Sequence, residues 1–252
     1  DTPQAISILS AEQLQDFGLT NINLALDQAT GVNVERIETD RTYYNARGFD
    51  ITNFQVDGLG LPFTGGGIEG DLDTALFERI EVIRGANGLM SGVGNPSATV
   101  NMVRKRAMAD TKIQGMASAG SWDSYRLEAD ATGALSESGN LRGRLVAAVD
   151  DRDSYLNGIN GNKQVVYGTL EYDFDKATTL SIGGTYQKID SVIDQGLPAY
   201  ADGSLINVPR STTIIADWNS LDMETADVFG EVEHFFTNGG QFKFTVRHSA
   251  RE

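Results

Sequence analysis

From Lys112 onward, apolar and polar residues alternate in runs of about ten, a period of two that a strand can use and a helix cannot. Leu141, Gly143, Leu145, Ala147 and Val149 share one face of such a run, while Arg142 and Arg144 point the other way. Val166, Gly168, Leu170, Tyr172 and Phe174 repeat the pattern against Thr169, Glu171 and Asp173. Leu180, Ile182, Gly184 and Tyr186 oppose Thr179, Ser181 and Thr185, and Phe242, Phe244 and Val246 oppose Gln241, Lys243, Thr245 and Arg247. About seven strands are predicted, over 112–119, 123–133, 140–150, 163–174, 178–188, 223–236 and 241–249. Strands of about ten residues suit a tilted bilayer crossing better than a globular sheet, whose strands average about five or six. The predicted connections also alternate, tight at 135–139, 175–177 and 237–240 but long at 151–162 and 190–222, as in outer-membrane barrels. The short turn at Gly120-Ser121-Trp122 is the exception. A soluble antiparallel sandwich gives the same alternation with core in place of lipid, so the pattern alone leaves both architectures open.

The front of the chain has a different character, and the change falls near residue 107. Ser10-Ala11-Glu12-Gln13 carries a capping box ahead of a short helix that Gly18 ends, and Asn21 or Thr20 can cap a second helix ending at Gly31. Strands are expected at 32–37, at 43–49, from Asn53 to Val56 before an Asp57-Gly58 turn, and at 79–83. Glycine is dense at Gly65, Gly66, Gly67, Gly70, Gly85, Gly88, Gly92 and Gly94, which implies tight turns or close backbone approach in a small α+β unit.

Composition removes several function classes. No run of about eighteen apolar residues occurs, so no helical membrane span is expected. A net charge of −15, from 35 acidic and 20 basic residues, argues against a nucleic-acid partner. The absence of cysteine excludes a disulfide scaffold and thiolate metal sites. The chain opens at Asp1 without a leader, which suggests a mature chain or an excised segment. The two histidines, His234 and His248, fall in register with the apolar strand faces and beside no nucleophile, so no catalytic residues are expected. Gly85 to Gly94 lacks both a phosphate-loop ending and a nucleophile elbow.

Leu76-Phe77-Glu78-Arg79-Ile80-Glu81-Val82-Ile83-Arg84-Gly85-Ala86-Asn87-Gly88-Leu89-Met90-Ser91-Gly92, running on to Asn101-Met102-Val103-Arg104-Lys105-Arg106, resembles the plug signature of TonB-dependent outer-membrane receptors. Arg47-Gly48-Phe49 and Val56-Asp57-Gly58 are similar to that family's arginine-glycine and aspartate-glycine motifs, and Thr2 to Ser7 to its plug opening. Tyr43 to Phe49 with Asn53 to Gly58 looks closest to receptors for hydroxamate siderophores and pyoverdine. Gly196-Leu197-Pro198, Asp202-Gly203, Arg210-Ser211-Thr212 and Ala216-Asp217-Trp218 resemble the long outer loop of ferric-coprogen-type receptors.

The resemblance implies an N-terminal α+β plug domain over 1–107, followed by antiparallel transmembrane β-barrel strands over 108–252. This would be a segment of a 22-stranded plugged barrel. It implies import of a ferric siderophore, with the iron carried as ligand and no further cofactor. The implied partners are TonB with its inner-membrane energy-transducing complex, and outer-membrane lipid. A passive structural or adhesive β-barrel and a soluble β-sandwich binding module are the competing readings.

Arg47 matches the family arginine at a plug apex that contacts the ferric chelate, and a guanidinium donates to hydroxamate oxygens without competing for iron. Its structural alternative is a salt bridge inside the plug. Tyr43, Tyr44 and Phe63 would add aromatic surface or serve as plug core. Ser91 stands where the family commonly has tyrosine, and the neighbouring Met90 offers soft apolar surface. Tyr200 and Trp218, in the longest loop, could cover a chelate or mark a membrane-interface belt. Glu78, Arg79, Glu81 and Arg84 resemble the charged cluster that locks plug to barrel. Asp150, Asp151 and Asp153 offer the oxygen ligands a calcium ion takes, but a solvated loop is the simpler reading and no metal is assigned.

Overall fold

In the computed structural model, residues 5–39, 41–61, 72–85 and 96–252 are described. The chain divides into two compact units. The first comprises Asp1–Lys105 with Ile193–Asn207 and Thr213–Ile215; the second comprises Arg106–Val192, Val208–Thr212 and Ala216–Glu252.

In the first unit, strand β1 (Ala5–Ser10) leads into helix α1 (Ala11–Asp16) through the expected capping box, in which Ser10 Oγ accepts from Gln13 N–H and Gln13 Oε1 from Ser10 N–H. Asn21, not Thr20, caps α2 (Ile22–Gln28), its Oδ1 accepting from Leu24 N–H at 2.9 Å. Strands β2 (Asn33–Arg36), β3 (Thr42–Ala46) and β4 (Phe49–Asp50) form a small meander. The single strand expected over 43–49 is therefore a hairpin. Arg47 and Gly48 both adopt positive φ, at 56° and 81°, and such a pair reverses the chain.

β5 (Asn53–Val56) turns at Asp57-Gly58 into β6 (Leu59–Gly60), as expected. β7 (Phe77–Arg84) and β8 (Ala98–Arg104) complete a five-stranded sheet in the order β1-β7-β8-β5-β6. Its core is Ile22, Ala25, Leu26, Ile80, Val82, Val100 and Met102, all fully buried.

The second unit is one antiparallel sheet of β9 (Lys112–Gly120), β10 (Ser124–Ala134), β11 (Leu141–Asp153), β12 (Asn160–Asp173), β13 (Thr178–Ser191), β14 (Leu221–Phe235) and β15 (Gln241–Arg251). Each strand pairs with its sequence neighbour, a plain up-and-down order. β11 to β14 are longer than predicted, 13 to 15 residues each, and they shorten the loop expected at 151–162 to 154–159.

The sense of the alternation separates the two architectures. Leu127, Leu145, Val166, Leu170, Ile182, Val228, Phe244 and Val246 are exposed, whereas Arg126, Asp130, Arg144, Lys163, Glu171 and Glu231 are buried. A sandwich would show the reverse, so the soluble-module reading falls. Apolar outside and polar inside is the pattern of a strand wall against lipid. The outward apolar band on β12 runs from Val166 through Leu170 and Tyr172 to Phe174 just beyond it, and gives way to Gln164 and Asn162 toward the other end. Near that polar end, Lys188 pairs with Glu224 at 3.0 Å across β13 and β14. At the short-turn end, rings gather at Tyr172–Phe174 and His234–Phe236, with centroids 5.0 and 4.6 Å apart, as in an interfacial girdle. Among the described residues no helix is long and apolar enough to span a membrane; the crossing elements are strands.

Candidate functional site

The tip of the β3–β4 hairpin presents Arg47. Its backbone holds a left-handed conformation, its side chain is exposed, and among the described residues it has no ion-pair partner. The guanidinium lies against Gly85, where a Cβ would stand 3.3 Å from Nη1, so glycine there lets the side chain rest on the backbone. The plug salt bridge considered for Arg47 is thus not formed among the described residues.

Tyr43 is exposed on the same hairpin. Tyr44 is not. Strand alternation turns it inward, where it is 4% exposed, hydrogen-bonds Asn23 Oδ1 through its hydroxyl and meets Phe54 edge-on with centroids 5.4 Å apart. Tyr44 is therefore plug core and not ligand surface, a correction that follows from the period of two. Phe63, Met90 and Ser91 lie outside the described residues.

In the long loop, Tyr200 is exposed at a turn where Asp202 accepts from Ser204 N–H at 2.9 Å. Trp218 is 86% exposed. The two fall in different units.

The four charged residues of β7 behave unequally. Arg79 Nε pairs with Glu81 at 2.7 Å, and Glu81 also accepts from Asn101 at 2.9 Å. Arg84 donates to Thr30 O and to Ser7 Oγ. Glu78 is exposed. Asp150 and Asp151 alternate across the strand, and Arg126 approaches Asp150 at 3.7 Å, so the three aspartates of 150–153 do not converge. Among the described residues no cluster of three or more acidic or histidine side chains could hold a metal.

Two groups of residues had no sequence signal as sites. Trp122 and Tyr155 bring their rings to 5.9 Å, and Arg210 lies over Tyr155 at 5.1 Å, uniting loops far apart in the chain. The second is a set of inward charges around Arg106: Glu231, Glu171 and Arg144. The inward phase of Arg144 and Glu171 was readable from alternation, but what they grip was not.

Residues 1–99 match the family model described as the TonB-dependent receptor plug domain. Residues 1–99 are thus a plug domain of the TonB-dependent receptor type. It is 38% identical to the ferripyoverdine receptor of Pseudomonas aeruginosa over 98% of this chain and 31% of that one. To a ferric-pyoverdine BN7/BN8 receptor of Pseudomonas putida it is 36% identical, over 99% and 31%. A crystal structure of the Pseudomonas aeruginosa outer-membrane ferripyoverdine receptor bound to ferripyoverdine superimposes with a TM-score of 0.92 at 38% identity, covering 98% of this chain and 34% of that one. The chain thus spans about a third of the length of the TonB-dependent receptors it matches. These relatives are receptors, not enzymes. The fold is a plug with antiparallel strands of a plugged barrel, and its place is the outer membrane.

Proposed function

We propose that the receptor to which this chain contributes its plug (1–107) and first wall strands (108–252) binds a ferric siderophore and imports it. The energy comes from TonB and the inner-membrane complex behind it. The ligand is a pyoverdine-like or other hydroxamate-containing chelate. Arg47 carries the reading: an exposed guanidinium on a left-handed hairpin tip, without an ion-pair partner among the described residues, in a chain related to ferripyoverdine receptors.

A guanidinium offers several donors to the oxygens of an iron chelate and never competes for the metal, as a carboxylate would. Tyr43 adds an aromatic edge beside it. Phe63, Met90 and Ser91 of the plug, with Tyr200 and Trp218 of the long loop, are assigned to the remaining ligand surface. Glu78, Arg79, Glu81 and Arg84 are assigned to plug retention. No step alters the ligand chemically.

The test is a binding titration on the complete receptor with ferric and iron-free forms of pyoverdine and of a trihydroxamate. Tight binding of a ferric form, lost on Arg47→Ala, is expected. Equal and negligible affinity for every form would exclude siderophore import and favour a passive barrel.

A further inference from the structure

Immediately after the plug, the chain crosses to β9 through an extended run held by wall side chains. Lys105, the last residue of the first unit, donates its N–H to Leu76 O at 2.9 Å. From Arg106 the partners belong to the wall. Arg106 Nη1 donates to Ser181 Oγ at 3.1 Å and Nη2 to Glu231 Oε1, while Arg106 O accepts from Arg144 Nη1 at 3.0 Å. Ala107 N–H donates to Glu171 Oε1 at 3.1 Å, Met108 N–H to Thr132 Oγ1 at 2.8 Å, and Ala109 O accepts from Ala134 N–H at 3.1 Å. Five successive strands, β10 to β14, thus grip four residues.

The gripping groups are themselves fixed. Asp130 holds Arg144 with two bonds of 2.8 and 2.7 Å. Glu231 also receives Thr245 Oγ1 at 3.0 Å and Lys243 Nζ at 2.9 Å, and Arg142 lies 3.5 Å from Glu171. Both glutamates are buried. Releasing the run would take Arg106 and the Ala107 N–H away from the buried Glu231 and Glu171 and leave the Ala107 and Met108 N–H groups without their acceptors, several bonds lost at once.

From this geometry we infer that Arg106–Ala109 is a fixed anchor. When the plug is displaced during transport, the chain yields upstream of Arg106 while the anchor holds, so the plug remains tethered at one point and can return in register. The inference rests on the transport reading above.

In the full-length receptor, an Ala109→Cys/Ala134→Cys pair, oxidised and verified by mass, makes the anchor covalent. Import of ferric pyoverdine within about twofold of the reduced pair is expected; a fall of about tenfold, recovered on reduction, overturns the anchor. Hydrogen exchange supplies a readout that needs no import: amides 107 and 108 should exchange on the order of tenfold faster in Glu171→Ala and Thr132→Val, respectively. Unchanged exchange in both variants also overturns the anchor. If the unsubstituted receptor imports nothing, the transport reading fails, and exchange alone decides the anchor.

Discussion

The Asp57 carboxylate binds Arg104 twice, accepting from its backbone N–H at 3.0 Å and from Nε at 2.7 Å. Both side chains are buried, at 5% and 2%. Asp57 also occupies the first left-handed position of the β5–β6 turn, so one residue makes the hairpin and secures the strand that leads out of the plug. Truncating one partner of a buried ion pair leaves the other uncompensated, at a cost of about 3–5 kcal/mol. Asp57→Ala should therefore unfold the plug at lower denaturant while the wall persists. Limited proteolysis of the complete receptor, resolved by fragment, checks this.

Arg47 and Tyr44 lie three residues apart on one hairpin and should behave oppositely. Arg47→Ala should weaken ferric-ligand binding by about 1.5–3 kcal/mol, roughly ten- to a hundredfold in Kd, and leave plug stability nearly unchanged. Tyr44→Phe should cost about 1 kcal/mol of stability by removing the bond to Asn23, with ligand affinity preserved. Paired titration and denaturation of the two variants would show a failed assignment as the reversed pattern.

Within the wall, the Phe229 ring lies over Gly183. A Cβ at Gly183 would stand 2.8 Å from that ring and 2.5 Å from Gly168 O. Because one of these neighbours is backbone, the site cannot relax by rotating a side chain. Gly183→Val should destabilise the wall by about 1–3 kcal/mol, read as a lower temperature for loss of the compact barrel band on unheated gels.

The β12–β13 turn carries a pH dependence of known sign. Asp175 accepts from the N–H of Ala177 at 2.7 Å and of Thr178 at 2.8 Å, and these bonds hold its carboxyl below the usual aspartate range. A depressed folded value means the carboxylate stabilises the turn above the ordinary aspartate value of about 4 and loses that effect as pH falls through the folded one. Asp175→Ala should abolish this part of the acid sensitivity, measured as the difference in turn hydrogen exchange between neutral and acid pH.

Regular elements were legible because their physics is local. Seven wall strands follow from alternation, the capping box at Ser10 from adjacent residues, and the Asp57-Gly58 turn from its dipeptide. Arg47-Gly48 misled as strand because β-branched and aromatic neighbours outvote one glycine in propensity, while the turn needs only two positive φ angles. For Tyr44 the sequence leaves ligand surface and plug core both open, and strand parity, which sets it opposite the exposed Tyr43, favours the inward place it takes. The Arg106 anchor and the Trp122–Tyr155–Arg210 group stayed hidden for another reason. Each joins residues dozens of positions apart, and only the strand register aligns them.

The direction in which the wall's apolar stripes face underlies the rest, and spin labels scanned singly along 163–174 of the complete receptor in bilayers test it most directly. This chain has no cysteine of its own to interfere. Oxygen accessibility should peak at Val166, Gly168, Leu170 and Tyr172 and collapse at Val165, Tyr167, Thr169 and Glu171. Accessibility without alternation, or with the opposite phase, would contradict a lipid-facing wall and with it the receptor reading.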